Sequence, residues 1–167
     1  MVMIPTPLLT TTAALALTFG VLLSGCTQTV ALRPAANATD PGCASIITRL
    51  PETVAGFDIR ETNAQGTGAW GSPSVVLLRC GVAVPEPTAS LTCVTVDGID
   101  WLRDPADDPS FVFTTYGRDP ATEVVIDSRE ASGGSVLTDL SAAIGVLPAE
   151  RNCISPDNVL EGGQPVE

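Results

Sequence analysis

The chain has 167 residues, 19 acidic side chains, eight basic side chains and no histidine, and its formal net charge is -11. All eight basic residues are arginine. Strong nucleic-acid binding is not expected, because it needs clustered positive charge. Sites built on imidazole are excluded, among them a Ser-His-Asp triad, a Cys-His pair and His-ligated zinc. A P-loop is excluded as well, because its phosphate-binding lysine is absent.

The amino terminus has the pattern of an export signal. Residues 13–23 form an apolar run that fits the core of a signal peptide and is short for a membrane span. The run ends in Leu23-Ser24-Gly25-Cys26, which resembles the bacterial lipobox, in which the cysteine receives a diacylglycerol and becomes the first residue after cleavage. The alternative is an uncleaved anchor with an ordinary cysteine, and the segment before the run lacks the usual basic side chain. We expect residues 1–25 to be a lipoprotein signal peptide and Cys26 to carry the lipid.

Four cysteines remain after Cys26, and an exported chain is expected to join them in disulfides. Of the three connectivities that four cysteines allow, the favoured one pairs Cys80 with Cys93 in a local loop and Cys43 with Cys153 across the domain. No two cysteines have the short spacing of a structural zinc site, and no histidine or lysine could lower a thiol pKa. Neither a metal site nor a catalytic cysteine is expected.

The exported part divides into three segments. Residues 26–39 are polar and aperiodic, which indicates a lipid-anchored tether, and the thirteen residues after Cys26 could reach about 40 Å when extended. Residues 40–154 are long enough for a single domain. Residues 155–167 are rich in proline and glycine and are predicted to be a flexible tail.

Two helices are predicted at the ends of this domain. Asp40-Pro41 provides an acidic cap and a proline at the first helical position, and Pro51 ends the segment. A second helix is predicted to begin at a capping Ser135. Each has an apolar stripe at helical spacing, formed by Cys43, Ile46, Ile47 and Leu50 in the first and by Val136, Leu137, Leu140, Ala143, Ile144 and Leu147 in the second.

Between the helices, strand patterns follow one another with short connections. Asp97-Gly98 matches a type I′ hairpin turn. The order predicts an α+β fold, a two-layer sandwich in which an antiparallel sheet of about five strands carries the amino- and carboxyl-terminal helices on one face. The candidate strands are residues 54–59, 74–80, 91–96, 99–102, 111–116 and 123–127.

Three patterns in the sequence are candidates for sites of chemistry. Residues 66–71 match G-x-G-x-x-G, but they precede Pro73 and a strand rather than a helix, so a loop is the favoured interpretation. Asp104, Asp107 and Asp108 lack the spacing of a calcium loop and are interpreted as a solvated acidic loop. Paired carboxylates for glycoside hydrolysis are available among 19 acids, yet no pair stands out. No catalytic residue and no cofactor is predicted.

A candidate recognition patch rests on residue types that dominate binding at interfaces. The alternative is that the aromatic members belong to the core, where tryptophan and tyrosine often lie, and that the arginine in a turn is an ordinary surface charge. The candidates are Trp70, Arg79, Trp101, Tyr116 and Arg118.

Five segments of the chain together form a recognisable set. They are residues 30–35 (VALRPA), 61–71 (ETNAQGTGAWG), 78–82 (LRCGV), 93–98 (CVTVDG) and 113–120 (FTTYGRDP). Together they resemble an actinobacterial lipoprotein family catalogued as domain of unknown function 3515. The resemblance covers about residues 30–150 and implies an exported, usually lipid-anchored envelope protein, with no known catalytic residues or ligand.

The leading hypothesis is a monomeric, non-enzymatic module on the outer face of the cell membrane, attached through the lipid on Cys26. Its partner would be an unknown envelope protein and not a nucleic acid. One alternative is a small-ligand carrier or sensor, which would need a deep apolar cavity between sheet and helices. Another is an envelope hydrolase with paired carboxylates, which would need two acids about 5–9.5 Å apart in a cleft.

Overall fold

The computed structural model of the chain describes residues 28–104 and 109–154. Two helices flank a run of strands, as predicted. In chain order the elements are α1 (Pro41–Ile47), β1 (Thr53–Val54), β2 (Phe57–Arg60), β3 (Thr67–Trp70), β4 (Val76–Val82), β5 (Thr92–Val96), β6 (Ile99–Asp104), β7 (Ser110–Thr115), β8 (Ala121–Asp127) and α2 (Gly133–Ile144).

The described strands form one sheet of eight strands in the order β1-β2-β3-β4-β8-β7-β6-β5, and every neighbouring pair is antiparallel. The antiparallel arrangement is confirmed, whereas the prediction of about five strands was too low. One reason is that residues 54–59 do not form one strand. Ala55 and Gly56 adopt positive φ angles of 49° and 83°, so the chain turns there between β1 and β2.

The other reason for the low strand count is β3, a strand that was not predicted and that lies inside the G-x-G-x-x-G segment. All four of its residues are buried. A Cβ atom at Gly68 would lie 2.8 Å from Leu50 Cδ1 and 2.9 Å from the Trp70 ring, so the glycine makes room for these side chains. The Trp70 indole Nε1 donates a hydrogen bond of 3.0 Å to the carbonyl of Pro51. The glycines of this segment therefore serve packing inside a sheet.

The turn and helix signals were accurate at some positions and displaced at others. Asp97 and Gly98 have φ angles of 47° and 75° between β5 and β6, as a type I′ turn requires. Asp40 caps α1 by accepting a hydrogen bond of 2.7 Å from the Gly42 amide. The start of α2 was predicted too late, because its N-cap is Ser132 and not Ser135.

The sheet curls around α2. This helix contacts β1 and β5, which stand at opposite ends of the strand order, and also β8 near the middle. The helix α1 contacts both α2 and β4. One continuous core joins them, and it includes Cys43, Ile46, Trp70, Leu78, Trp101, Val124, Ile126, Leu137, Leu140 and Ile144. Among the described residues, no helix is long and apolar enough to cross a membrane.

The four predicted cysteines form two disulfides, but the predicted pairing of Cys80 with Cys93 and of Cys43 with Cys153 was wrong. Cys43 is bonded to Cys80, and Cys93 is bonded to Cys153. Cys80 and Cys93 are close in sequence, yet they lie on β4 and β5, which are separated in the sheet by β8, β7 and β6. Cys43 on α1 instead lies against the core side of β4, where Cys80 is located, and both cysteines are fully buried.

Peptide mapping should find these two pairings. Digestion without reduction should yield one linked peptide pair containing Cys43 and Cys80 and another containing Cys93 and Cys153, with no thiol among the four open to alkylation. Their Cα–Cα separations, 5.5 Å and 6.2 Å, lie in the range that a disulfide spans. A linked pair containing Cys80 and Cys93 would contradict the strand order.

Candidate functional site

The five residues of the candidate recognition patch do not come together as one exposed surface. Trp70 and Trp101 are completely buried, and Arg118 is 6% exposed. Arg79 and Tyr116 remain partly exposed. The two tryptophans therefore belong to the core, and Arg118 has a different role.

Arg118 holds the carboxyl-terminal segment (residues 145–154) against the sheet. Its guanidinium donates from Nη1 to the carbonyl of Leu147 and, over 3.5 Å, from Nη2 to the carbonyl of Gly98. Burial lowers the pKa of Arg118 below its ordinary value, and the nearby Asp100 carboxylate partly offsets this by favouring the charged form. Arg118 thus connects the carboxyl-terminal segment to the turn between β5 and β6.

Asp100 provides a second attachment for this segment. One carboxylate oxygen accepts a hydrogen bond of 2.7 Å from the Cys153 amide, and the other accepts one of 2.5 Å from the Thr95 hydroxyl. The Glu150 amide donates to the carbonyl of Gly117 over 2.7 Å. Gly117 has a φ angle of 70°, and a Cβ atom there would overlap the backbone of Arg151. With the disulfide at Cys153, these contacts fix the segment over several residues.

The amino-terminal segment (residues 28–40) is attached in a similar way. Val30 forms a parallel bridge with Thr62, and its amide donates to the carbonyl of Glu61 over 2.8 Å. The Leu32 amide donates to Asn63 Oδ1 over 2.8 Å. Arg60 donates from Nη2 to the carbonyl of Gln28 over 2.5 Å. The chain is therefore bound to the domain from Gln28 onward, within the stretch that the sequence predicts to be a tether.

Further along, residues 37 and 38 pack against Gly81 on β4 and Gly66 in the turn before β3. The Asn37 amide donates to the carbonyl of Gly81 over 3.0 Å. Gly81 has a φ angle of 88°, and a Cβ atom there would lie 2.6 Å from the Ala38 amide nitrogen and closer still to Asn37. At Gly66 a Cβ atom would meet Ala38 at 3.1 Å. Neither glycine could carry a side chain without displacing the amino-terminal segment.

A groove opens beside this attachment, between α1 and the β2–β3 strands. We call it the amino-terminal groove; its volume is about 460 Å³. Its apolar wall includes Ile59, whose side chain is 41% exposed although it is large and hydrophobic. The lining residues are Ile47, Leu50, Ile59, Arg60, Glu61, Thr62, Thr67 and Gly68.

The face of the sheet that points away from the core carries an ion pair on its two central strands. Arg79 on β4 donates to Glu123 Oε1 on β8, from Nε over 2.9 Å and from Nη2 over 2.6 Å. The two residues face each other in the strand register, and their side chains are 39% and 18% exposed. A partly exposed pair of this kind contributes about 1 kcal/mol or less to stability. Because both side chains remain partly exposed, a partner could contact them.

The interior offers little room for a small ligand. Ile46, Val124, Ile126, Leu140 and Ile144 line the space between the sheet and the helices, and each is inaccessible to a water-sized probe. A carrier of the predicted kind needs a cavity at this position, and the complete burial of these side chains counts against one.

No metal centre is formed by the described ranges, in which no cluster of three or more cysteine, aspartate or glutamate side chains could hold an ion. Of the predicted acidic loop, Asp104 ends β6, whereas Asp107 and Asp108 lie outside the described residues.

Comparison with known proteins gives one match. The model of a family described as "Protein of unknown function (DUF3515)" matches residues 2–152. No curated protein and no solved structure matches the chain significantly.

Proposed function

Since the chain belongs to the DUF3515 family, whose function is unknown, we propose a role from its own residues. The protein is an exported, lipid-anchored component of a bacterial cell envelope. It is held on the outer face of the cell membrane through a lipid on Cys26, and it acts there as a non-enzymatic interaction or accessory module.

The observation that carries this proposal is the state of the cysteines. The chain has five, and the four in the described residues are joined in two disulfides. Stable disulfides are typical of exported proteins and rare in the cytosol. The fifth, Cys26, directly follows Leu23-Ser24-Gly25 and is the cysteine that the lipobox pattern marks for lipid attachment. The disulfides and the lipobox pattern are independent observations, and both support export from the cytosol.

The roles of the family segments support a module without catalysis. Gly81 in LRCGV packs on the amino-terminal segment, and Gly117 and Arg118 in FTTYGRDP hold the carboxyl-terminal segment. Asn63 in the ETNAQGTGAWG segment binds Leu32. These residues maintain the fold and the position of the chain ends, so they are not available as catalytic groups. The surface offered to a partner is the sheet face with Arg79 and Glu123.

The intact mass of the protein extracted from native membranes tests the proposal. We expect a chain that begins at Cys26 and carries acyl chains, with four alkylation sites that appear only after reduction. A Cys26→Ser variant should carry no acyl mass, because the lipid is attached through the cysteine sulfur, and two or three acyl chains at about 0.8 kcal/mol per buried methylene provide the attachment in the natural sequence. Retention of residues 1–25, or four free thiols before reduction, would refute the proposal.

A further inference from the structure

We propose that the amino-terminal groove lies against the lipid bilayer, so that the domain rests on the membrane rather than standing away from it. The inference depends on the proposed lipid at Cys26 and adds to it the surface that meets the membrane. It follows from where the bound part of the chain begins and from the chemistry of the groove.

The first argument is the short distance between the lipid and the groove. The carbonyl of Gln28 is held by Arg60, and Arg60 itself lines the groove. Cys26 is two residues before Gln28, so the backbone between them spans at most about 7 Å. A tether reaching about 40 Å would require residues 28–39 to be free, whereas Val30, Leu32 and Asn37 are hydrogen-bonded to the domain.

The second argument is the character of the surface at this point. Ile47, Leu50 and Ile59 give the groove an apolar wall, and Ile59 is one of only three large hydrophobic side chains in the described ranges that are exposed. Apolar side chains of this kind gain free energy when they enter the interfacial region of a bilayer. We therefore assign the lipid surface as the occupant of the groove, because it can take up both these side chains and the nearby acyl chains.

Charge favours the same orientation. The chain has a net charge of -11, which repels anionic lipids. The groove lining, however, contains one arginine and one acidic residue, Arg60 and Glu61, so its own charges balance. Approach through this surface therefore meets less repulsion than the average surface of the domain would.

Fluorescence quenching by brominated lipids tests the orientation. Lipidated Ile59→Trp protein in vesicles of phosphatidylcholine brominated on its acyl chains should lose most of its added emission, relative to vesicles of unbrominated phosphatidylcholine. Thr92→Trp is the matched control, because Thr92 is also exposed on a strand but lies on β5, which contributes no residue to the lining of the groove. Its emission should stay unchanged. The native Trp70 and Trp101 are fully buried and give the same background in both variants.

Intact mass separates the two levels of the proposal. If Cys26 carries lipid and the two variants lose equal emission, or neither loses any, the orientation is wrong and the proposed anchoring stands. If Cys26 carries no lipid in protein from native membranes, the anchoring itself is refuted and the orientation with it.

Hydrogen exchange provides a measurement without these substitutions. In the lipidated natural sequence on the same vesicles, residues 57–62 should exchange more slowly than in the Cys26→Ser variant in solution, whereas residues 92–96 should exchange equally in both. Equal exchange in both regions would overturn the proposal. Slow exchange at residues 57–62 without quenching of Ile59→Trp would also overturn it, because a second copy of the chain, and not lipid, would then cover the groove.

Discussion

Replacement of Gly81 by alanine is expected to lower the free energy of unfolding by about 3 to 5 kcal/mol. Gly81 has a φ angle of 88°, a region that costs a residue with a Cβ atom about 1 to 2 kcal/mol. The new methyl group would also overlap Asn37 and lie 2.6 Å from the Ala38 amide nitrogen. Backbone atoms cannot rotate away as a flexible side chain can, so the amino-terminal segment would have to move.

Gly98→Ala is the matched control for this substitution. Gly98 has a similar φ angle of 75°, but a Cβ atom there would meet nothing within 4 Å. This variant should therefore lose only about 1 kcal/mol, the cost of the backbone conformation alone. Denaturant unfolding of both variants measures the difference. Equal losses would mean that residues 37 and 38 do not pack against Gly81.

Removal of the Cys43–Cys80 disulfide should have a comparable effect. The bond joins residues 37 positions apart, and loop-closure entropy predicts a loss of about 4 kcal/mol when both cysteines become alanine. Both sulfurs belong to fully buried residues, so the double variant would also leave unfilled space in the core. Thermal and denaturant unfolding of Cys43→Ala/Cys80→Ala measures the total.

The second disulfide serves as the comparison. It joins residues 60 positions apart, so its entropic contribution is nearly the same, about 4 kcal/mol. Cys93 is exposed and Cys153 is only partly buried, so Cys93→Ala/Cys153→Ala should leave no core cavity. A larger loss from this second pair than from Cys43 and Cys80 would contradict the placement of the first pair in the core.

Local signals in the sequence predicted local structure well. Asp40-Pro41 and Asp97-Gly98 act through their own backbone conformations and neighbouring amides, and the structure has a helix start and a hairpin turn at these positions. The strand β3 was not predicted, because Gly68 and Ala69 have little strand preference of their own. Their conformation is set by pairing with β2 and β4 on both sides.

Long-range features could not be read from spacing. Cys80 and Cys93 are near each other in sequence, but β4 pairs with β8 instead of β5, which moves them apart. The sequence gives no signal for the roles of Arg60 and Asn63, because an arginine in an alternating strand and an asparagine in a loop are ordinary surface residues. Their importance comes from contacts with Gln28 and Leu32, which are 32 and 31 positions away.

The position of the Cys43–Cys80 bond has a mechanical consequence. A pulling force on the membrane anchor would enter the domain at Gln28 and first detach the segment that is bonded to Glu61 and Asn63. The fifteen residues 28–42 could then extend to a total length of about 50 Å before the covalent bond stops them. Beyond that point the load passes directly to β4, which is hydrogen-bonded to β3 on one side and β8 on the other. Tension would thus uncover the amino-terminal segment while the sheet stays intact.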